Sequence, residues 1–177
     1  MGQNGGVRYL TLVRHAKSSP ALPMASDFDR TLSGRGRKEC KQLRAWASDA
    51  ESLGRFGPVS ALVSAAVRTR ETFERAFEGT GFVEAHQFDK SIYGGPREVS
   101  GQDLLGALRE FDSGTTSLMI VAHNPSMYEL ALLLARVAPD SLRTRGYELG
   151  GAYVFELPDD EPLGSTRYEI VASYIPD

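Results

Sequence analysis

The stretch Tyr9-Leu-Thr-Leu-Val-Arg-His-Ala-Lys-Ser-Ser19 decides how the rest of the 177-residue chain is read. Residues 9–13 are aromatic, aliphatic or β-branched, the composition of a buried strand. The run stops abruptly at Arg14 and His15. Arg14 is a permanent cation whose planar fork of donors matches phosphate or carboxylate. His15 is a ring whose neutral form is a nucleophile near neutral pH. A surface Arg–His pair at a strand end is the competing reading, and the remainder of the chain has to decide between them.

The length fits one domain with one core, over 1–177, with residues 1–6 as a flexible polar tail. A net charge of -3 excludes a general nucleic-acid binder, so affinity for phosphate must come from local arginine placement. No apolar run approaches the ~18 residues that span a membrane. The start, Met-Gly-Gln-Asn-Gly-Gly, has no apolar segment of the secretory kind, and Gly6 stands where a myristoylation signal needs Ser or Thr. These features predict a cytoplasmic protein without a membrane partner. Cys40 is the only cysteine, which excludes internal disulfides and a Cys-based zinc cluster; its place on a helical stripe makes it a core residue.

Beyond the opening strand, residues 18–31 carry two prolines in 18–23 and little periodicity, a long loop of the functional kind. Ser33 caps a helix whose apolar stripe is Cys40, Leu43, Ala47 and Ala50, with Trp46 on its flank. A strand over 59–63 ends at Ser64, and a helix over 66–77 buries Ala66, Phe73 and Phe77. Arg68 lies in that helix's first turn, where the dipole opposes a cation unless an anion is held there too. A local partnership of Arg68 with Glu71 or Thr72 is the alternative. A strand over 82–88 and a turn-rich segment over 89–96 follow, then a helix over 102–111 with Leu104, Leu105, Leu108 and Phe111 inward. A third apolar strand, 117–121, ends at Ala122-His-Asn-Pro125, and a helix over 126–137 comes next. Strands over 152–157 and 167–174, separated by the acidic loop 158–164, close the chain.

Strands alternating with helices predict an α/β three-layer sandwich: a mostly parallel central sheet with helices on both faces. Ligands bind such sheets at the carboxyl ends of the strands. Arg14-His15, Ser64…Arg68 and His123-Asn124 each sit just past a strand's carboxyl end. Two arginines, two histidines and hydroxyls converging there describe an anion site suited to a phosphoryl group. The chain has no Walker loop ending in Gly-Lys-Ser/Thr, and no His/Asp cluster at metal spacing. The expectation is therefore no metal and no cofactor. The nucleophile for phosphoryl transfer is then a histidine, His15, with Arg14, Arg68 and His123 neutralising the equatorial oxygens.

Four blocks of the sequence resemble the histidine phosphatase superfamily, also called phosphoglycerate mutase-like. Leu-Val-Arg-His-Ala16 is similar to its Arg-His-Gly signature. Arg14-His-Ala-Lys-Ser18 followed by Asp27-Phe-Asp-Arg-Thr-Leu-Ser-Gly-Arg-Gly36 resembles the SixA-type phosphohistidine phosphatases. Val63 to Thr72 is similar to that family's Ser-Pro-x-x-Arg-x-x-x-Thr segment, with Ala65 in place of proline. Val121-Ala-His-Asn-Pro125 is similar to its Gly-His-Asn-Pro, with Ala122 in place of glycine.

The resemblance implies a phosphoglycerate mutase-like fold and a His15 phosphorylated during turnover. It implies a phosphate pocket of Arg14, Ser18, Arg68 and His123, with Ser64 shaping the turn that aims Arg68 and Asn124 orienting the His123 loop. Lys17 is expected to be a solvated side chain, Asp29 and Arg30 anchors of the loop into the helix, and His86 an ordinary strand residue. Larger relatives add a Glu or Asp that protonates the leaving oxygen, and Asp89 stands about where that acid is expected, with Glu84 less well placed. The implied activity is metal-independent removal of phosphate from phosphohistidine in a protein, such as a phosphohistidine carrier or phosphotransfer domain. A phosphatase of small phosphate esters is the alternative, and a catalytically silent phosphate-binding module ranks last.

Overall fold

The computed structural model describes residues 7–158 and 161–176. Residues 1–6, expected to be a tail, and two residues of the acidic loop lie outside them. β1 (Arg8–Arg14) is an interior strand. It pairs in parallel with β4 (Ser117–Ala122) on one side and antiparallel with β5 (Ala152–Leu157) on the other. Being covered on both faces, it has no use for alternation with polar residues, and Leu10, Thr11, Leu12 and Val13 are all fully buried. β2 (Val59–Ser64) lies beyond β4, and β3 (Val83–Asp89) beyond β2, all in parallel. β6 (Ile170–Tyr174) pairs antiparallel with β5 at the opposite edge. The six-stranded order is β3-β2-β4-β1-β5-β6, so three of the five pairings are parallel and the sheet is mostly parallel, as the strand–helix alternation predicts.

Period-two alternation divides the core between the two faces. Leu10 and Leu12 join one layer with Leu104 and Leu108 of α3 (Gly101–Phe111) and Leu130 and Leu134 of α4 (Ser126–Leu134). Val13, Val63 and Val121 join the other with Leu43 of α1 (Gly34–Ser48) and Phe73 of α2 (Val67–Ala76). Cys40 is buried in this second layer, where burial pushes its thiol up to about 12. Caps appear where the sequence places them: the Ser33 hydroxyl accepts from the Gly36 amide, and Ser100 with Asp103 forms a capping box on α3.

Several element boundaries differ from the sequence reading, and the last strand, β6, starts at Ile170 rather than 167. α1 stops at Ser48, so Ala50 is exposed rather than on the stripe. A 3-10 turn, Leu53–Phe56, puts two buried apolar side chains into the layer instead. α4 ends at Leu134, short of residue 137, because Tyr168 captures the following backbone: its amide donates to the Leu134 carbonyl at 2.7 Å and its carbonyl accepts from Arg136 at 2.8 Å. The short α5 (Asp140–Arg145), which buries only Leu142, has no apolar periodicity to announce it.

Candidate active site

Parallel register brings the polar groups to one edge. Arg14 pairs with Ala122 and Val63 with Val121, so the residues that follow these strands meet above the sheet. The backbone around His15 is held from three elements. Its amide donates to the Ala122 carbonyl at 3.2 Å, its carbonyl accepts from Gly150 at 3.1 Å, and the Ala16 amide donates to Thr72 Oγ1 at 3.1 Å. Gly36, in the first turn of α1, packs against the chain just past His15. A Cβ there would stand 2.0 Å from the Lys17 carbonyl oxygen, so only glycine lets the helix approach.

The rings of His15 and His123 lie 5.2 Å apart, centroid to centroid, and each is 8% exposed. His15 Nδ1 is 2.8 Å from the Ala16 carbonyl oxygen, which only accepts, so this nitrogen carries the proton and Nε2 keeps its lone pair. His123 Nε2 is 2.8 Å from Ser64 Oγ. Burial, then the charges of Arg68, Arg14 and Arg30, depress His15 to about 3 against the opposing pull of the Ala16 bond. Burial and the neighbouring His15, Arg68 and Arg14 depress His123 to about 2. Both rings are therefore neutral at pH 7.

Arg68 is 7% exposed, and its guanidinium is engaged by neither Glu71 nor Thr72. It donates to the Asp27 carbonyl at 2.7 Å and to Asp27 Oδ2 at 3.0 Å. Glu71 instead accepts from the Leu32 amide at 2.5 Å, and Thr72 Oγ1 donates to the Arg68 carbonyl at 2.7 Å. Arg14 donates to the Tyr147 carbonyl at 2.5 Å, an oxygen it shares with the Asn124 side-chain amide at 3.3 Å. Burial lowers the Arg14 pKa.

Among the described residues, four buried side-chain polar atoms have no hydrogen-bond partner, and three of them are here: His123 Nδ1, Arg14 Nε and Asn124 Oδ1. Orphaned donors and acceptors are costly and rare in folded proteins, and their concentration at one place marks a site built to receive something else.

The structure thus brings Arg14, His15, Arg68 and His123 together. Ser18 is buried beside them, with its hydroxyl 2.9 Å from Arg30 Nη2. Ser64 has a second task besides its turn, in which its carbonyl accepts from Thr69 Oγ1 at 2.7 Å: its hydroxyl fixes the His123 ring. Arg30 anchors the loop through the Ser19 carbonyl and also adds charge beside His15. Lys17 is exposed, and His86 sits on edge strand β3 against Phe73 and Phe88.

Asp89 is placed differently from the acid expected there. It ends β3 opposite Ser64, and its carboxylate accepts from the Ser91 amide at 2.7 Å, closing a turn. Two carboxylates line the adjoining cavity of about 230 Å³ with Arg68, Tyr93 and His123: Asp27, which is bonded to Arg68, and the exposed Glu98. Asp27 falls inside the SixA-like block of the sequence without a role assigned to it, and Tyr93 and Tyr147 are given none either. The Asp27…Arg30 spacing of oppositely charged residues was the one local signal. Among the described residues, no group of three His, Cys, Asp or Glu side chains could hold a metal ion, and no helix is long and apolar enough to cross a membrane.

Neither a protein-family model nor a curated protein sequence matches the chain. Solved structures do. One, from Agrobacterium tumefaciens and named as a phosphohistidine phosphatase, SixA, superposes with a TM-score of 0.73 at 24% identity, covering 96% of this chain and 99% of that one. A second, from Nakamurella multipartitia and named likewise, gives 0.72 at 22% identity, covering 97% of each chain. A third, the protein histidine phosphatase SixA complexed with tungstate, gives 0.68 at 17% identity over 93% of this chain and 95% of that one. The chain shares the fold of these solved structures over more than nine-tenths of its length.

Proposed function

We propose that the protein is a phosphatase that passes the phosphoryl group through His15, and that its substrate is a phosphohistidine carried by another protein. One observation carries the reading: a buried, neutral His15 with its proton committed to Ala16 and its Nε2 free, beside unpartnered polar atoms of Arg14 and His123. In the first step His15 Nε2 attacks phosphorus. Arg14 and Arg68 hold the equatorial oxygens. Ser64, donating to His123 Nε2, places that ring's proton on Nδ1, where it meets a third oxygen. These groups face the developing charge before the substrate arrives, which is where electrostatic catalysis gains most. Water then hydrolyses the phosphorylated His15.

Nucleophile and charge partners all come from the chain itself, and no cofactor takes part. Asp89 receives no role as an acid in this reading: its Oδ1 accepts from the Ser91 amide, and it does not line the cavity. The fold's kinship with proteins named as phosphohistidine phosphatases supports the substrate class, as does a shallow cavity that a ring on a protein surface can enter. A lone, buried, high-pKa thiol fits a cytoplasmic setting.

The test is phosphate release from a phosphohistidine-bearing protein and from a panel of small phosphate esters. Faster release from phosphohistidine is the expected result. Preference for the esters would overturn the substrate assignment. Binding of phosphate with no turnover of either would leave a phosphate-binding module.

A further inference from the structure

The proposed reaction leaves three charged side chains that line the cavity without a role, Asp27, Arg97 and Glu98, and of these Asp27 is bonded to Arg68 of the phosphate pocket. The Asp27 side chain is 50% exposed at the mouth of the site, so a bound substrate can reach it. The titratable and charged groups around it are Arg30 from the same loop, Arg68 from α2, Tyr93 and the cavity-lining Arg97 and Glu98 from the segment after β3, and His123 from the junction of β4 and α4, while Asp29 acts on Tyr93. Oδ1 accepts from Arg30 at 2.9 Å, and Oδ2 accepts from Arg68 at 3.0 Å and from the Tyr93 hydroxyl at 3.1 Å. Burial alone would raise its pKa, but the Arg30 hydrogen bond, the Arg68 charge and the Tyr93 hydroxyl bring it down to about 2. At neutral pH the group is an anion, a hydrogen-bond acceptor with no proton to give.

The chemistry of the substrate asks for such a group. When the bond between phosphorus and a ring nitrogen breaks, the electron pair stays on that nitrogen. The ring then departs as neutral imidazole only if its other nitrogen already carries a proton. On the enzyme's side this condition is met: Nδ1–H of His15 is held by the Ala16 carbonyl. On the substrate's side, the charges of Arg14, Arg30 and Arg68, which already act on His15, oppose a cationic ring beside it.

Resting on the phosphohistidine-phosphatase reading above, we propose that Asp27 accepts a hydrogen bond from the unphosphorylated nitrogen of the substrate ring and keeps that ring protonated until it leaves. The step balances without proton transfer. His15 Nε2 bonds to phosphorus, the substrate N–P bond breaks, its electron pair returns to the substrate ring, and the proton on the far nitrogen stays in place. Water later cleaves the N–P bond on His15 and yields phosphate. Asp27 is thus a specificity-determining residue: an ionised acceptor assists a phosphoramidate and does nothing for an ester, whose leaving oxygen needs a proton donor.

The experiment compares wild type, Asp27→Asn and Asp27→Glu on a phosphohistidine peptide, a phosphoserine peptide and p-nitrophenyl phosphate, from about pH 5 to 9. Loss of a hydrogen bond to a charged group predicts that D27N loses about tenfold more rate on phosphohistidine than on either ester. Its phosphohistidine profile should also lose activity at lower pH on the alkaline side, and D27E should recover part of both. Equal losses on all three substrates would make Asp27 a mere anchor for Arg68, and a loss greatest on phosphoserine would make it a general acid. Either outcome overturns the proposal. A wild-type protein that takes no acid-labile phosphoryl group on His15 overturns the phosphatase reading as well, whatever the Asp27 variants do, so the two failures are told apart.

Discussion

The two sides of the site are made differently. On the sheet side, Arg14, His15, Ser64 and His123 follow directly from strand ends whose backbones are locked into the sheet, and both rings are buried and neutral. On the loop side, Asp27 and Arg30 come from the 3-10 turn Asp27–Asp29 and the residue after it, Tyr93 comes from the turns after β3, and they hold one another by charge and hydroxyl contacts at the surface. Arg68 is shared, rooted in α2 but paired to the loop. The sheet wall can keep a nucleophile and its charge partners fixed at low dielectric. The loop wall, half in water, can exchange partners when a substrate enters. Chemistry on the first and selection on the second is the division this contrast implies.

The hardest way to break it is at the nucleophile. His15→Ala should lower phosphohistidine turnover on the order of 10³-fold or more, since no second nucleophile stands ready. A fully active variant would remove the sheet wall's central role. Next comes the approach of α1 to the chain after His15. Gly36→Ala places a methyl in the Lys17 carbonyl and should cost about 2 kcal/mol or more, read as a lower denaturation midpoint.

The two serines then test the walls against each other. Ser64→Ala strips His123 Nε2 of its buried partner and should cost about 1–3 kcal/mol of transition-state stabilisation, read as kcat. Ser18→Ala removes only an acceptor for Arg30, which keeps the Ser19 carbonyl, and should cost less than the Ser64 change. Equal effects would erase the distinction between walls.

Proton linkage separates them as well. The folded pKa values of His15 and His123, about 3 and about 2, lie below the unfolded value near 6.5. The unfolded chain therefore binds protons first as pH falls. Stability should drop below about pH 6.5, by at most ~1.4 kcal/mol per pH unit for each ring, and level off only below the folded values. A His15→Asn variant should show a shallower slope in a thermal-denaturation series against pH. The smallest effect is expected at the rim: Tyr93→Phe keeps the edge-on contact with Phe28, 4.9 Å between centroids, and loses one bond to Asp27. It should shift stability by about 1 kcal/mol or less.

The sheet wall was legible because it is written locally. An apolar run that stops at Arg14-His15, another at Ser64 and a third at Ala122-His123 each announce a strand and its terminus, and parallel packing brings the termini together. The loop wall depends on partners far apart in sequence. Arg68 meets Asp27 across 41 residues, and Tyr93 meets it across 66, so nothing near Arg68 points to Asp27, and the local choices Glu71 and Thr72 looked equally good. Asp89 looked well placed along the chain, but its pairing with Ser64 turns its carboxylate to a local amide. Likewise α4 stops early because Tyr168, near the other end of the chain, takes over its last carbonyl. For Arg68 and α4 a long-range hydrogen bond overrode the local pattern, and for Asp89 a local turn did.

The most direct measurement is to mix the protein with a phosphohistidine-bearing protein, quench it within the first turnovers, and map the phosphoryl group by mass spectrometry under alkaline conditions. The account predicts an acid-labile phosphoryl group on His15 that appears before phosphate is released and is absent from His15→Ala. Phosphate release with no such adduct, or an adduct on another residue, would contradict it.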